Sequence, residues 1–206
     1  MDFQDILSGN YSNCLNLIYG PAATGKSTFC LIAALEKSRN NKKVIFFDMK
    51  NGFCLERFKQ LAGENYKKYL ENILVFKIKS FKEQQSKIKS LDKIIFKGKI
   101  SLIILDTICF NYQRLQRRKP DLAKAMLSSQ LRILKEISKK VPVLITSDVY
   151  YNVSQKKLRI SGGTVLKKYC DCIIKLEKEN IRKLIIRKPE KKEFIFNILN
   201  NGIIKI

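Results

Sequence analysis

Leu15-Asn16-Leu17-Ile18-Tyr19-Gly20-Pro21-Ala22-Ala23-Thr24-Gly25-Lys26-Ser27-Thr28 is the stretch on which the reading of this chain turns. Leu15–Tyr19 is an apolar run of strand length, and Lys26–Ser38 has helical periodicity. Between them Gly20 to Ser27 fits G-x-x-x-x-G-K-[ST], placed between strand and helix as that pattern requires. The two glycines allow a tight turn whose successive N–H groups face a phosphate at a helix N-terminus. Lys26 then reaches the β/γ oxygens as a point charge, and the Ser27 hydroxyl ligates Mg²⁺. The candidate nucleotide-binding residues are Gly20, Pro21, Ala22, Ala23, Thr24, Gly25, Lys26, Ser27 and Thr28.

Downstream, Ile100-Ser101-Leu102-Ile103-Ile104-Leu105-Asp106 reads as a buried strand ending in an acid able to hold the Mg²⁺ shell. Ser27 and Asp106 are therefore the candidate metal residues, with ATP and Mg²⁺ as cofactors. Lys43–Asp48, Ile73–Lys77 and Pro142–Ser147 read as further strands. Leu55–Tyr69, Phe81–Phe96 and Asp121–Lys140 read as helices between them. Such alternation makes βαβ units and a mainly parallel sheet flanked by helices. After Gly163 comes a short helical piece, then closely spaced strand-like segments near 171–178, 181–188 and 193–198. Asn200-Asn201-Gly202 is a turn signal before a last strand, so the chain ends in C-terminal antiparallel strands.

The 206 residues are enough for a single domain. Lys and Arg number 41 against 18 Asp and Glu, a formal charge of +23. That charge points to a polyanionic partner or to compositional drift towards lysine. No histidine is present, which removes His-based nucleophilic schemes. The six cysteines are scattered through apolar stretches and read as buried thiols, with Cys170-Asp171-Cys172 too little for a structural zinc site. No membrane span or secretory leader is evident, so the expected location is cytoplasmic.

The order of motifs resembles the RecA-like recombinase superfamily and, within it, the short archaeal RadB paralogues. The likeness runs from Ile6-Leu7-Ser8-Gly9 through the phosphate loop to Asp48-Met49-Lys50-Asn51-Gly52-Phe53 and Glu56-Arg57-Phe58. It continues with Leu105-Asp106-Thr107, Val143–Tyr150, Gly162-Gly163 and Phe194-Ile195-Phe196-Asn197-Ile198. The resemblance implies one RecA-like P-loop NTPase core over 1–206 without an N-terminal domain. It also implies a role in DNA repair and homologous recombination, with no autonomous strand exchange, assisting a RadA-type recombinase or a junction resolvase.

Two departures bear on chemistry. Where the family pattern has Asp-Thr-Glu-Gly-Gly-Phe, with the Glu activating water, Lys50 stands in the acid's place. The family's Thr-Asn-Gln, whose Gln senses the γ-phosphate, is here Thr146-Ser147-Asp148. A protonated lysine favours binding an anion but cannot accept a proton. A carboxylate facing a phosphate needs a neutralising cation. Lys50 and Asp148 are therefore expected to pair, within about 6 Å, or else to be positions that drifted once hydrolysis lost importance. Either way ATP should bind and hydrolysis should be slow.

Seven of the nine arginines lie in residues 104–206, where two segments lack any acid: Tyr112–Lys119 and Ser154–Tyr169. Both follow ends of core strands, on the side where α/β folds bind ligands. By the resemblance they correspond to the two DNA-binding loops, which makes Arg114, Arg117, Arg118, Lys119, Lys156, Lys157 and Arg159 the candidate DNA contacts. Tyr112, Tyr150 and Tyr151 offer faces for stacking bases. The expected partner is single-stranded or branched DNA, bound with weak sequence specificity and strong salt dependence. Competing readings are a small-metabolite P-loop kinase, which would want arginines in a lid that segment 81–97 lacks, and a KaiC-like signalling ATPase.

Overall fold

The computed structural model describes residues 14–153 and 155–206. The leader Ile6-Leu7-Ser8-Gly9 and Ser154 lie outside the described residues. The strands are β1 (Leu15–Gly20), β2 (Lys43–Asp48), β3 (Ile73–Lys77), β4 (Ile100–Asp106), β5 (Val143–Asn152), β6 (Lys157–Ile160), β7 (Cys172–Lys178), β8 (Arg182–Lys188), β9 (Lys192–Leu199) and β10 (Gly202–Lys205). The helices are α1 (Lys26–Arg39), α2 (Leu55–Ala62), α3 (Tyr66–Leu70), α4 (Phe81–Lys89), α5 (Leu91–Lys97), α6 (Phe110–Gln116), α7 (Pro120–Ser138) and α8 (Gly163–Tyr169), with a 3₁₀ turn over Gly63–Asn65.

The main sheet runs β10-β9-β8-β7-β1-β5-β4-β2-β3, and β6 pairs with β5. From β7 to β3 every pairing is parallel; from β7 to β10 every one is antiparallel. The expected α/β architecture, with its antiparallel tail, is what the chain adopts. Period-two alternation splits β1 between two cores: Leu15, Leu17 and Tyr19 join the face covered by α4 and α7, while Ile18 joins the face covered by α1 and α2. In the second core Phe29 of α1 meets Phe196 of β9 edge to face, centroids 5.6 Å apart. Burial on both faces is what keeps the central strands continuously apolar.

Helix α7 starts with Pro at its first position and Asp121 in its first turn, both favourable there. It buries Ala123, Leu127, Leu131, Leu134 and Ile137 along one stripe. Elsewhere the sequence-expected elements are subdivided. The helix expected over 55–69 breaks at Gly63, whose φ of +70° ends α2. The one expected over 81–96 breaks at Ser90, whose hydroxyl donates to the Lys87 carbonyl at 2.9 Å.

The two acid-free segments, loops by the resemblance, carry regular structure. Phe110–Gln116 is helical and buries Asn111 and Tyr112. Strand β5 runs past Ser147 to Asn152 and turns into a hairpin with β6. Cys30, Cys109, Cys170 and Cys172 are buried, Cys14 is half-buried and Cys54 is exposed. Burial pushes the Cys109 thiol up to about 12.

Candidate functional site

The C-terminal ends of β1, β2, β4 and β5 converge on the phosphate loop, as expected for a parallel α/β sheet. Gly25 takes φ +106° as the N-cap of α1, and Ala23 is also left-handed at φ +59°. The Thr24 hydroxyl donates to the Pro21 carbonyl at 2.9 Å and ties the turn together. Gly20 sits so close to β7 that a Cβ there would lie 2.3 Å from the Leu176 carbonyl oxygen, so only glycine fits.

Lys26 is buried, its ammonium donating to the carbonyls of Gly20 and Pro21 at 2.8 Å each. It also stands 3.0 Å from one oxygen of Asp148, and Lys50 stands 3.0 Å from the other. The carboxylate expected to meet Lys50 thus bridges two cations. Burial pushes the Asp148 carboxyl up, but the Lys26 charge and the hydrogen bonds from Lys26 and Lys50 outweigh it and hold the group below its ordinary value. Lys50 is half-exposed, so its pair contributes little to stability, about 0–1 kcal/mol. Its consequence is local charge.

Asp48 shapes the loop that carries Lys50. Its carboxylate accepts from the backbone N–H groups of Lys50 (3.2 Å), Gly52 (2.8 Å) and Phe53 (3.3 Å). Asn51 is left-handed at φ +56°, completing the turn.

Asp106 is buried at the end of β4, and its Oδ1 accepts from the hydroxyls of Thr146 and Thr107. Its Oδ2 is buried with no hydrogen-bond partner among the described residues. A buried carboxylate oxygen left bare is costly unless a cation or water occupies its free side. The Cβ position that Gly52 leaves open lies 2.4 Å from that oxygen and 3.3 Å from Ser27 Oγ. Two oxygen donors of the type Mg²⁺ prefers therefore border one small gap, and Ser27 and Asp106 fit the ion. Gly52→Ala should weaken Mg²⁺-dependent nucleotide binding about tenfold, because a Cβ 2.4 Å from Asp106 Oδ2 forces that buried carboxylate away from the gap it shares with Ser27. Titration calorimetry with and without Mg²⁺ checks this, and unchanged affinity contradicts it.

Behind the loop a cavity of about 500 Å³ is lined by Lys26, Ser27, Lys50, Asp106 and Asp148. It also holds Arg182 and Ile198, which the sequence reading passed over. Arg182 of β8 donates to the Ala23 carbonyl at 2.8 Å, and a Cβ at Gly25 would meet Ile198 of β9 at 2.6 Å. Arg182 lies in no motif, and the run that ends in Ile198 reads only as a strand. Only the pairing of β7 beside β1, with β8 and β9 following, brings residues so distant in sequence to the loop.

The candidate DNA residues fall on two surfaces. In the β5–β6 hairpin, Tyr150 lies opposite Arg159 and Asn152 opposite Lys157. Lys156 occupies the turn at φ +47°. Tyr150 and Tyr151 are exposed. Arg159, oriented by the Gln155 side-chain carbonyl at 2.8 Å, lines a polar groove of about 570 Å³ with Tyr150, Asn152 and Gln116. Lys119 caps the start of α7 beyond Gln116.

Arg114, Arg117 and Arg118 instead line a different cavity, against α4. Tyr112 departs from expectation: it is only 4 % exposed, with its ring edge-on to Phe81, so it offers no face to a base. Its position in an apolar core was masked by the basic residues that follow it.

Comparison with known proteins gives consistent matches. The family profile described as Rad51 matches residues 1–205. The DNA repair and recombination protein RadB of Methanococcus maripaludis (strain C7) is 33% identical over 212 residues, covering 97% of this chain and 96% of that protein. The RadB of Methanoculleus marisnigri is 33% identical over 214 residues, with 98% and 93% covered. That of Methanocaldococcus jannaschii is 33% identical over 211 residues, with 97% of each covered.

Proposed function

Because the chain belongs to the Rad51 family and resembles its RadB members over nearly its whole length, we propose that it is an ATP- and DNA-binding accessory protein of DNA repair and homologous recombination. In this reading it hydrolyses ATP very slowly and performs no strand exchange alone. It works beside a RadA-type recombinase or a junction resolvase. MgATP is held by Gly20–Thr28, with Lys26 on the phosphates and with Ser27 and Asp106 on the metal, which supplies charge neutralisation. DNA runs along the β5–β6 hairpin, contacting Lys156, Lys157 and Arg159, with Lys119 at its margin.

The observation that carries the reading is the Lys26–Asp148–Lys50 chain at the phosphate loop. The phosphate-loop lysine is retained there, paired with Asp148, while the place where the family pattern has its water-activating acid holds a cation. ATP then acts as a ligand that stabilises one state of the protein. A kinase reading finds no support, since the described residues of 81–97 contribute no arginine to the cavity behind the loop.

A melting series tests this. A hundredfold excess of MgATP over its Kd should add about 2.7 kcal/mol and so raise Tm by about 5–10 °C. Lys26→Ala should abolish that shift, and kcat should stay below about 0.01 s⁻¹, far under ordinary enzymes. A wild-type Tm indifferent to MgATP, or brisk turnover, overturns the assignment.

A further inference from the structure

The cavity that receives the three arginines differs in chemistry from both sites above. It lies between the start of α4, the outer side of α6 and the start of α7, with a volume of about 880 Å³, within the usual range for ligand pockets. Its walls are aliphatic: Leu115, Met126 and Leu122, the last 48% exposed. Its rim carries Lys79, Lys82, Arg114, Arg117 and Arg118 and includes no carboxylate.

Among the described residues none of these five cations is in an ion pair. Glu83, in the first turn of α4, is engaged locally: its carboxylate accepts from Lys79 N–H at 2.9 Å and its own N–H donates to the N-cap Ser80 Oγ at 3.1 Å. Asn111, 3% exposed, lines the cavity with its amide Nδ2 lacking any acceptor among the described residues.

We propose that this cavity is a docking site for an acidic peptide segment of a protein partner. A bulky apolar side chain seats against Leu115, Leu122 and Met126, flanking Asp or Glu residues meet the five-cation rim, and a peptide carbonyl accepts from Asn111. Charge complementarity commits the site to an anionic occupant. The wall chemistry then selects peptide over nucleic acid. Bases bind by stacking on open ring faces, and the aromatic residue lining this cavity, Phe81, is 6% exposed with its ring against Tyr112. Leu, Met and Arg surrounding a concave apolar floor is the composition of a protein–protein interface core with a charged rim. These three arginines stand on a different surface from the hairpin cations and serve a different task.

Selection of a random 12-residue peptide display library on the purified full chain tests it. The enriched peptides should combine Asp or Glu with Leu, Phe, Met or Ile. Synthetic versions should lose at least tenfold in affinity when the acids become Gln or the apolar residue becomes Ser. Leu122→Asp should weaken capture at least tenfold while oligo(dT) and MgATP affinities stay within twofold. Arg117→Glu with Arg118→Glu, both at the surface, should do the same to peptide capture should the first variant fold poorly. Peptides without the combined signature, or capture unchanged by both variants, overturn the proposal. So does a tenfold loss of oligo(dT) affinity in Leu122→Asp, which would place nucleic acid in this cavity.

Discussion

Exchanging the two altered positions together, Lys50→Glu with Asp148→Gln, should raise ATP turnover by about a hundredfold, the lower end of what a positioned general base contributes. Lys50 is placed by Asp48, whose carboxylate fixes the backbone of residues 50–53, so a glutamate there would be held by the same scaffold. Lys50→Glu alone should do worse than the double variant. It would set a second carboxylate against Asp148, which would keep only Lys26 as a counterion, and MgATP affinity should fall.

The pH profile supplies a separate readout. The folded Asp148 carboxyl lies below its unfolded value, so its pairing contributes stability above the unfolded pKa and loses it as pH falls through the folded one. That acid limb of the stability curve should shrink in Asp148→Gln. Steady-state phosphate release measures the main effect; a double variant as slow as the parent would show that the missing acid is not what limits hydrolysis.

Removing the hairpin cations, Lys156→Ala with Lys157→Ala and Arg159→Ala, should lower affinity for oligo(dT) by about a hundredfold at low salt. It should also flatten the slope of log K against log salt by about 2, since each lost phosphate contact on a single strand removes about 0.7. The three lie on one hairpin whose backbone pairing does not depend on these side chains, so the fold should persist. Tyr150, directly opposite Arg159, then becomes separable: Tyr150→Ala should cost about 1–3 kcal/mol in binding with no change of salt slope, as stacking does. Fluorescence anisotropy across a salt series distinguishes the two. An unchanged slope in the triple variant would move the DNA path elsewhere.

Much of this architecture is written locally. The phosphate loop, Asp106 and the runs at 43–48, 73–77 and 100–106 appear where periodicity and motif spacing put them, because each depends on residues adjacent in sequence. The pairing of Lys50 with Asp148, 98 positions apart, was also accessible, since an uncompensated lysine and an uncompensated carboxylate beside one phosphate site constrain each other, although β4 stands between their strands. What escaped was set by tertiary context. Tyr112 reads as part of a basic loop but packs in the core. Arg182 and Ile198 reach the nucleotide cavity only through sheet order, and the separation of Arg114–Arg118 from Arg159 depends on which side of α6 each faces. Charge runs record that a surface is basic. They do not record how a helix divides it.

The position of β1 also bears on how the molecule comes into being. Leu15 pairs with Val143 and Asn16 with Cys172, so the strand leading into the phosphate loop is flanked only by partners synthesised well over a hundred residues later. Contacts of such long range are slow to form, because closing the intervening chain costs entropy before any pairing rewards it. On the ribosome the loop is made well before the two strands that flank it, and it is assembled only after them. Under the proposed function, nucleotide capture would report that the chain has folded through at least β7, and a nascent chain halted before Cys172 would carry the motif without its flanking strand.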